Sequence, residues 1–335
     1  MYYYKIYGQQ ICSDRQINLL SEQSEFSRVD VHINWQESTP QTIDNNPDWK
    51  EIHSETLELY TVITMWETQI EGICYSRVCF QLTDESTLSF VVDEQVENLT
   101  IYYNKNTTSG DLDSYLVGPA MGFIMRLKGI ICLHSSAVEI DGQAIALLGF
   151  STSGKSTTAA GLAAYGAKIL ADDITVLIPQ NGQYMIQPGY SKVRLRPLAA
   201  DFLTERPEDL PIVYTGRDSR YVALTENDNF LPKALPLSAI YVLGDFSDEY
   251  KIPSIEPINS QDKLITLLAN TYGMYVVRDK LRANEFKVLA GIAKTIPINK
   301  LRYAHDISTL PVQCQLIIDN FRNLSEHRKS FSKVN

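Results

Sequence analysis

The stretch Gly149-Phe150-Ser151-Thr152-Ser153-Gly154-Lys155-Ser156 has the form G-x-x-x-x-G-K-S, which is the phosphate-binding P-loop. Such a loop works only between a buried strand and a helix, so it dictates its neighbours. Upstream, Ala144-Ile145-Ala146-Leu147-Leu148 is a short, bounded apolar run, as a buried parallel strand should be. Downstream, Thr157 to Tyr165 reads as a helix that stops near Gly166. Gly149 and Gly154 let the backbone curl until successive N–H groups face one concavity, an anion nest. The helix N-terminus adds its positive dipole end behind the nest. In such a loop the lysine, Lys155, reaches the β- and γ-phosphates of a nucleoside triphosphate, and the hydroxyl of Ser156 ligates Mg²⁺. The expected nucleotide-binding residues are Gly149, Ser151, Thr152, Ser153, Gly154, Lys155, Ser156 and Thr157.

The chain has 335 residues, enough for two domains of about 150 residues each. Hydrophobic residues make up 44% and charged residues 21%, the profile of a soluble globular protein with a sizeable core. A net charge of −10 argues against a nucleic-acid-binding surface. The five cysteines are scattered and contain no C-x-x-C pair, so free thiols in a reducing cytosol are expected rather than disulfides or zinc. No signal-peptide core opens the chain, and no run approaches the ~18 apolar residues of a membrane span. The expected location is therefore cytoplasmic, with no membrane partner.

Residues 1 to about 117 read mostly as β. Tyr2 to Gly8, Val29 to Trp35, Leu57 to Ile63, Ile73 to Phe80, Leu88 to Val92 and Leu99 to Tyr103 carry strand patterns. His32 and His53 are isolated there and read as surface or structural histidines. A helix is expected to start at Pro119, a residue favoured in a first turn, and to stop at Gly129. Asp141-Gly142 predicts a tight hairpin into the P-loop strand, which places His134 one strand away from the phosphate site. After the P-loop helix, Ala167 to Ile178 is an apolar strand interrupted by Asp172 and Asp173. Charged residues at a strand's end belong to the ligand crevice. Adjacent side chains on an extended segment face opposite ways, so the two aspartates should have different tasks. Arg194 and Arg196 share a face by the same period, against phosphate, against an acidic substrate or on a simple exposed edge. Leu237 to Leu243 and Ile296 to Leu301 read as strands, and Gln261 to Tyr272, Phe286 to Lys294 and Val312 to Asn323 as helices. The polar tail from Ser325 to Asn335 is expected to fray.

Three segments together narrow the reading. Leu133-His134-Ser135-Ser136-Ala137-Val138-Glu139-Ile140, the P-loop, and Ala171-Asp172-Asp173 resemble the HPr serine kinase family. His134 precedes Lys155 by 21 positions and Asp172 follows it by 17, the family's spacing. The match covers roughly residues 119 to 178 and weakens onward to about 320. The resemblance implies an α/β fold with a kinase core of the type shared with phosphoenolpyruvate carboxykinase. It implies ATP and Mg²⁺ as cofactors and a serine hydroxyl as phosphate acceptor. It further implies that Asp172 is the catalytic base, that His134 supports it, and that Asp173 holds metal with Ser156. The expected layout is a β-rich domain over 1–117, a P-loop domain over 118–324 and a polar tail over 325–335. The family's Glu-Ile-Arg-Gly segment is missing; Tyr190 to Pro197 stands in its place. The resemblance therefore does not extend to the phosphorylase activity or to that segment's metal ligand, which stay open. Tyr4 to Gly8 and Leu116 to Gly129 are more similar to the HPr-kinase-like proteins of ribosomal peptide maturation, including the kinases of lasso peptide precursors. The preferred expectation is therefore a kinase whose partner is a peptide or protein carrying an acceptor serine. A kinase of HPr or of a small hydroxyl compound is the alternative, and a non-catalytic nucleotide-binding regulator the second. The family's habit of oligomerising makes a homo-oligomer a further expectation.

Overall fold

The alternating runs of the first hundred residues form one eight-stranded sheet in the computed structural model, which describes every residue except 38–47, 58–60, 84–85, 201–205, 216–217, 248, 251, 274–278, 305 and 333–335. The strands are β1 (Tyr2–Ile6), β2 (Gln9–Ser13), β3 (Val31–Glu37), β4 (Lys50–Leu57), β5 (Thr61–Ile70), β6 (Ile73–Thr83), β7 (Ser86–Asp93) and β8 (Asn98–Tyr103). Their order is β1-β2-β3-β8-β7-β6-β5-β4. Of the run expected as one strand over Leu57 to Ile63, Leu57 closes β4, Thr61 opens β5, and residues 58–60 lie outside the described residues.

This sheet belongs to a unit made of Met1–Gly129, Val213–Arg217 and Gly273–Leu281. Its helical segment begins ten residues earlier than the proline suggests, with α1 (Ser109–Tyr115), a π-helical turn over Leu116–Ala120 and α2 (Met121–Leu127). Thr108 starts it by accepting the Asp111 backbone N–H, a cap worth ~1 kcal/mol. Pro119 lies inside the π turn. A proline has no N–H to donate and crowds the carbonyl four residues back; the wider turn accommodates both defects.

The second unit comprises Ile130–Ile212, Asp218–Tyr272 and Arg282–Asn335. Its strands are β9 (Ile131–Ile140), β10 (Gln143–Leu148), β11 (Lys168–Ala171), β12 (Ile174–Gln180), β13 (Gln183–Gln187), β14 (Lys192–Leu195), β15 (Arg220–Ala223), β16 (Leu235–Phe246), β17 (Ser254–Pro257) and β18 (Ile298–Tyr303). Ladder β10-β9-β12-β13-β16 closes on itself, because β10 also pairs with β16 in parallel. The two-residue hairpin at Asp141-Gly142 has both residues at positive φ, 51° and 80°, the turn that Asp-Gly favours. Asn181-Gly182 repeats the device between β12 and β13, with φ of 50° and 76°.

Helices cover both faces of this sheet. They are α3 (Lys155–Ala164), α4 (Pro197–Ala200), α5 (Ser260–Ala269), α6 (Asp279–Thr295) and α7 (Leu310–Ser332). On one face Ile145 and Leu147 pack with Ala159, Ala160 and Leu162 of α3 and with Ile317 and Phe321 of α7. On the other, Ala144, Ala146 and Leu148 pack with Leu267 of α5 and Leu289 and Ile292 of α6. Burial on both sides is why β10 reads as a continuous apolar run and not as an alternating one. The closing helix continues through the segment expected to fray, to Ser332. Among the described residues, no helix is long and apolar enough to cross a membrane.

Candidate active site

The P-loop lies where its sequence demands, between the end of β10 and the start of α3. Thr152 and Gly154 adopt positive φ, 67° and 85°, which makes the chain concave. A side chain at Gly149 would collide with Ser153 Oγ and with the Leu243 carbonyl of β16. Only glycine permits that close approach of loop and sheet. Ser151 and Thr152 are exposed, whereas Ser153 is buried with its side chain under the loop. Ser153 therefore offers backbone, not its hydroxyl. The Lys155 ammonium donates to the carbonyls of Gly149 and Phe150 at 2.8 and 3.0 Å. Burial pulls it below the ordinary lysine value, while Asp173 and Asp172 pull the other way.

Asp172 and Asp173 form the turn between β11 and β12. The expected continuous strand is broken here, and Asp173 sits at φ 69°. The two carboxylates still face different partners. Asp172 is only 3% exposed. Its Oδ1 accepts from Ser156 Oγ at 2.8 Å and from Ser136 Oγ at 2.6 Å, and its Oδ2 accepts the Arg194 backbone N–H at 3.0 Å. Asp173 keeps 24% of its side chain exposed and is held by Arg194 Nη1 at 3.0 Å and His134 Nε2 at 3.6 Å. Burial pushes the Asp173 carboxyl up, but Arg194, His134 and Lys155 outweigh it and hold it below the usual carboxylate value.

His134 reaches the site because β9 pairs with β12, Ile174 opposite His134. Its backbone N–H donates to Asn270 O at 2.8 Å, and the Tyr272 ring meets its imidazole edge-on at 6.1 Å. Burial lowers its pKa, Lys155 and Arg194 push the same way, and Asp173 only partly opposes them.

Of the residues singled out in the sequence, His134, Lys155, Ser156, Asp172 and Asp173 converge, while His134 contacts Asp173 and not the Asp172 it was expected to support. Ser136 and Arg194 complete the cluster. Arg194 comes from β14, donates its Nε–H to the Tyr190 hydroxyl at 3.3 Å, and lies 5.8 Å over the Tyr221 ring of β15. Its basic strand pattern was visible in the sequence, but its target was not. Arg196, just past β14, is exposed.

The donor set suits a hard cation: hydroxyl and carboxylate oxygens, and, among the described residues, no group of three or more His, Cys, Asp or Glu that could hold a metal alone. Mg²⁺ commonly binds this way, through one or two protein oxygens with phosphates and waters completing its shell.

Among solved structures, the chain is similar to the Hpr(Ser) kinase/phosphatase from Coxiella burnetii, at 12% identity and a TM-score of 0.33, over 58% of this chain and 98% of that one. No protein-family model and no curated protein matches the sequence. A likeness that distant carries no conclusion about activity, so the functional reading rests on the site.

Proposed function

We propose that this chain is an ATP-dependent kinase that phosphorylates a serine hydroxyl of a ribosomally made precursor peptide. The observation that carries the reading is the 2.8 Å hydrogen bond from Ser156 Oγ to Asp172 Oδ1. It joins the first turn of a P-loop helix to a strand-end carboxylate, the pairing by which P-loop nucleotide enzymes hold their magnesium.

Geometry favours exchanging the roles that the resemblance gives the two aspartates. Asp172 is almost fully buried and already accepts three hydrogen bonds. It has little capacity left to receive a proton from an incoming hydroxyl, and Ser156 and Asp172 would hold the metal. Asp173 is the more exposed carboxylate and faces His134. It would orient the acceptor hydroxyl and take its proton, a contribution of ~10²–10⁴ in rate. Bound magnesium would neutralise charge on the phosphate oxygens. Lys155 would leave its loop carbonyls for the β- and γ-phosphates, and Arg194 would keep Asp173 ionised. In the transfer, the serine oxygen forms a bond to the γ-phosphorus as the bond to the β,γ-bridging oxygen breaks. ADP leaves, and the serine proton passes to Asp173.

Labelled ATP offered with a panel of acceptors tests this: a precursor peptide ending in serine, HPr, and small hydroxyl compounds. Label is expected on the peptide serine. Label on HPr or a small alcohol alone would refute the peptide assignment while keeping the kinase. Nucleotide binding without transfer to any acceptor would make the chain a regulator.

A further inference from the structure

Tyr303 ends β18 and is buried beneath the P-loop. Its hydroxyl donates to the Ser153 carbonyl at 2.6 Å. The Gly244 backbone of β16 lies beside the same oxygen. Gly244 sits at φ 117°, where the pairing of β16 with β18 slips between Val242 and Asp245. One phenol thus ties the end of β18 to the loop. The Tyr303 oxygen also lies about 4.0 Å from where a Cβ on Gly154 would stand, so it is directly against the loop's last glycine.

The consequence follows from the planarity of the peptide bond. In a trans peptide, C=O and N–H point in opposite directions. Fixing the Ser153 carbonyl toward the interior therefore fixes the Gly154 N–H toward the opposite side, the concavity. A glycine-rich loop can flip such a peptide at little cost, and the flip would replace a donor by a carbonyl oxygen facing the anion.

We infer that Tyr303 is a positioning residue for the phosphate loop, holding the Ser153–Gly154 peptide in its anion-receptive orientation. The inference rests on reading Gly149 to Ser156 as a phosphate cradle. Burial pushes the phenol up to about 12, against a lowering contribution from the Gly244 backbone, so it remains a donor at any pH at which the protein is handled.

Tyr303→Phe removes the hydroxyl and keeps the ring. Inorganic triphosphate, titrated into the full-length chain with magnesium, is the probe because it reads the cradle without a nucleoside. Its affinity is expected to fall about tenfold, the effect of losing one hydrogen bond to a charged group, in a variant that still unfolds cooperatively. Lys155→Ala, run in parallel, separates the two claims. Loss of binding in Lys155→Ala with full binding in Tyr303→Phe overturns the positioning role alone. Full binding in Lys155→Ala overturns the cradle and the inference with it. Should Tyr303→Phe fail to fold, the wild-type chain still decides. The carbonyl ¹³C shift of Ser153 is expected at a hydrogen-bonded value, and a free-carbonyl value would overturn the pin.

Discussion

Arg194 Nη1 lies 3.0 Å from Asp173 Oδ2 while the Arg194 backbone N–H binds Asp172 at 3.0 Å. One residue of a two-stranded ribbon therefore sets both carboxylates. The guanidinium stabilises the charged form of Asp173. The acid limb of a kcat/KM profile should consequently fall below the ordinary carboxylate value in the wild type. In Arg194→Met the limb is expected to move to higher pH. An unmoved limb would separate Asp173 from the proton transfer.

The two aspartates should fail differently. Asp173→Asn is expected to lower kcat by ~10²–10⁴ and to leave magnesium-dependent nucleotide binding intact. Asp172→Asn is expected to weaken that binding, seen as a higher magnesium requirement and a raised KM. Calorimetric titration of the two variants with ADP and magnesium checks the split. The opposite pattern would restore Asp172 as the base.

His134 provides a pH test of stability. Its folded pKa lies below its unfolded value, so the unfolded chain binds more protons in the window between them. Stability therefore rises with pH through that window and falls as pH drops below the unfolded value of ~6.5. His134→Gln should flatten this part of a melting-temperature profile. Asp173 is lowered instead, so its contribution is present above its unfolded value near ~4 and is lost on further acidification.

How much of this was legible in the sequence depends on how local each signal is. The P-loop, its strand and its helix lie within about one turn-length of each other, and Asp141-Gly142 encodes its hairpin in two residues. His134 and the aspartates are singled out by the resemblance to the HPr serine kinase family, and they lie together, on β9 and at the turn between β11 and β12. The roles of Arg194 and Tyr303 were not legible, because their partners lie 21 and 150 residues away and no periodic pattern connects them. Pro119 misled for a physical reason: a proline in a first turn and a proline in a π turn look alike without their backbone hydrogen bonds. Asp172-Asp173 read as continuous strand because its apolar flanks hide a left-handed turn at Asp173.

Ser135 is fully buried on β9, and its hydroxyl has no hydrogen-bond partner among the described residues. An unmet buried hydroxyl costs ~1–3 kcal/mol. Ser135→Ala should therefore stabilise the chain by ~1 kcal/mol, read as a higher denaturant midpoint at constant slope. A destabilised variant would mean that the hydroxyl has a partner after all.

Gly149 is expected to reject alanine. The added Cβ would meet the Leu243 carbonyl and Ser153, and overpacking of this kind costs ~1–3 kcal/mol. Gly149→Ala should lower both the melting temperature and nucleotide affinity. Wild-type values of both would contradict the close approach.

The most direct measurement is mass spectrometry of a precursor peptide after incubation with ATP, magnesium and either the wild-type chain or Asp173→Asn. The proposed function predicts phosphoserine with the wild-type chain and, with Asp173→Asn, a rate lower by at least ~10² at undiminished ATP binding. Equal phosphorylation by both, or none by the wild-type chain with saturating ATP, would contradict it.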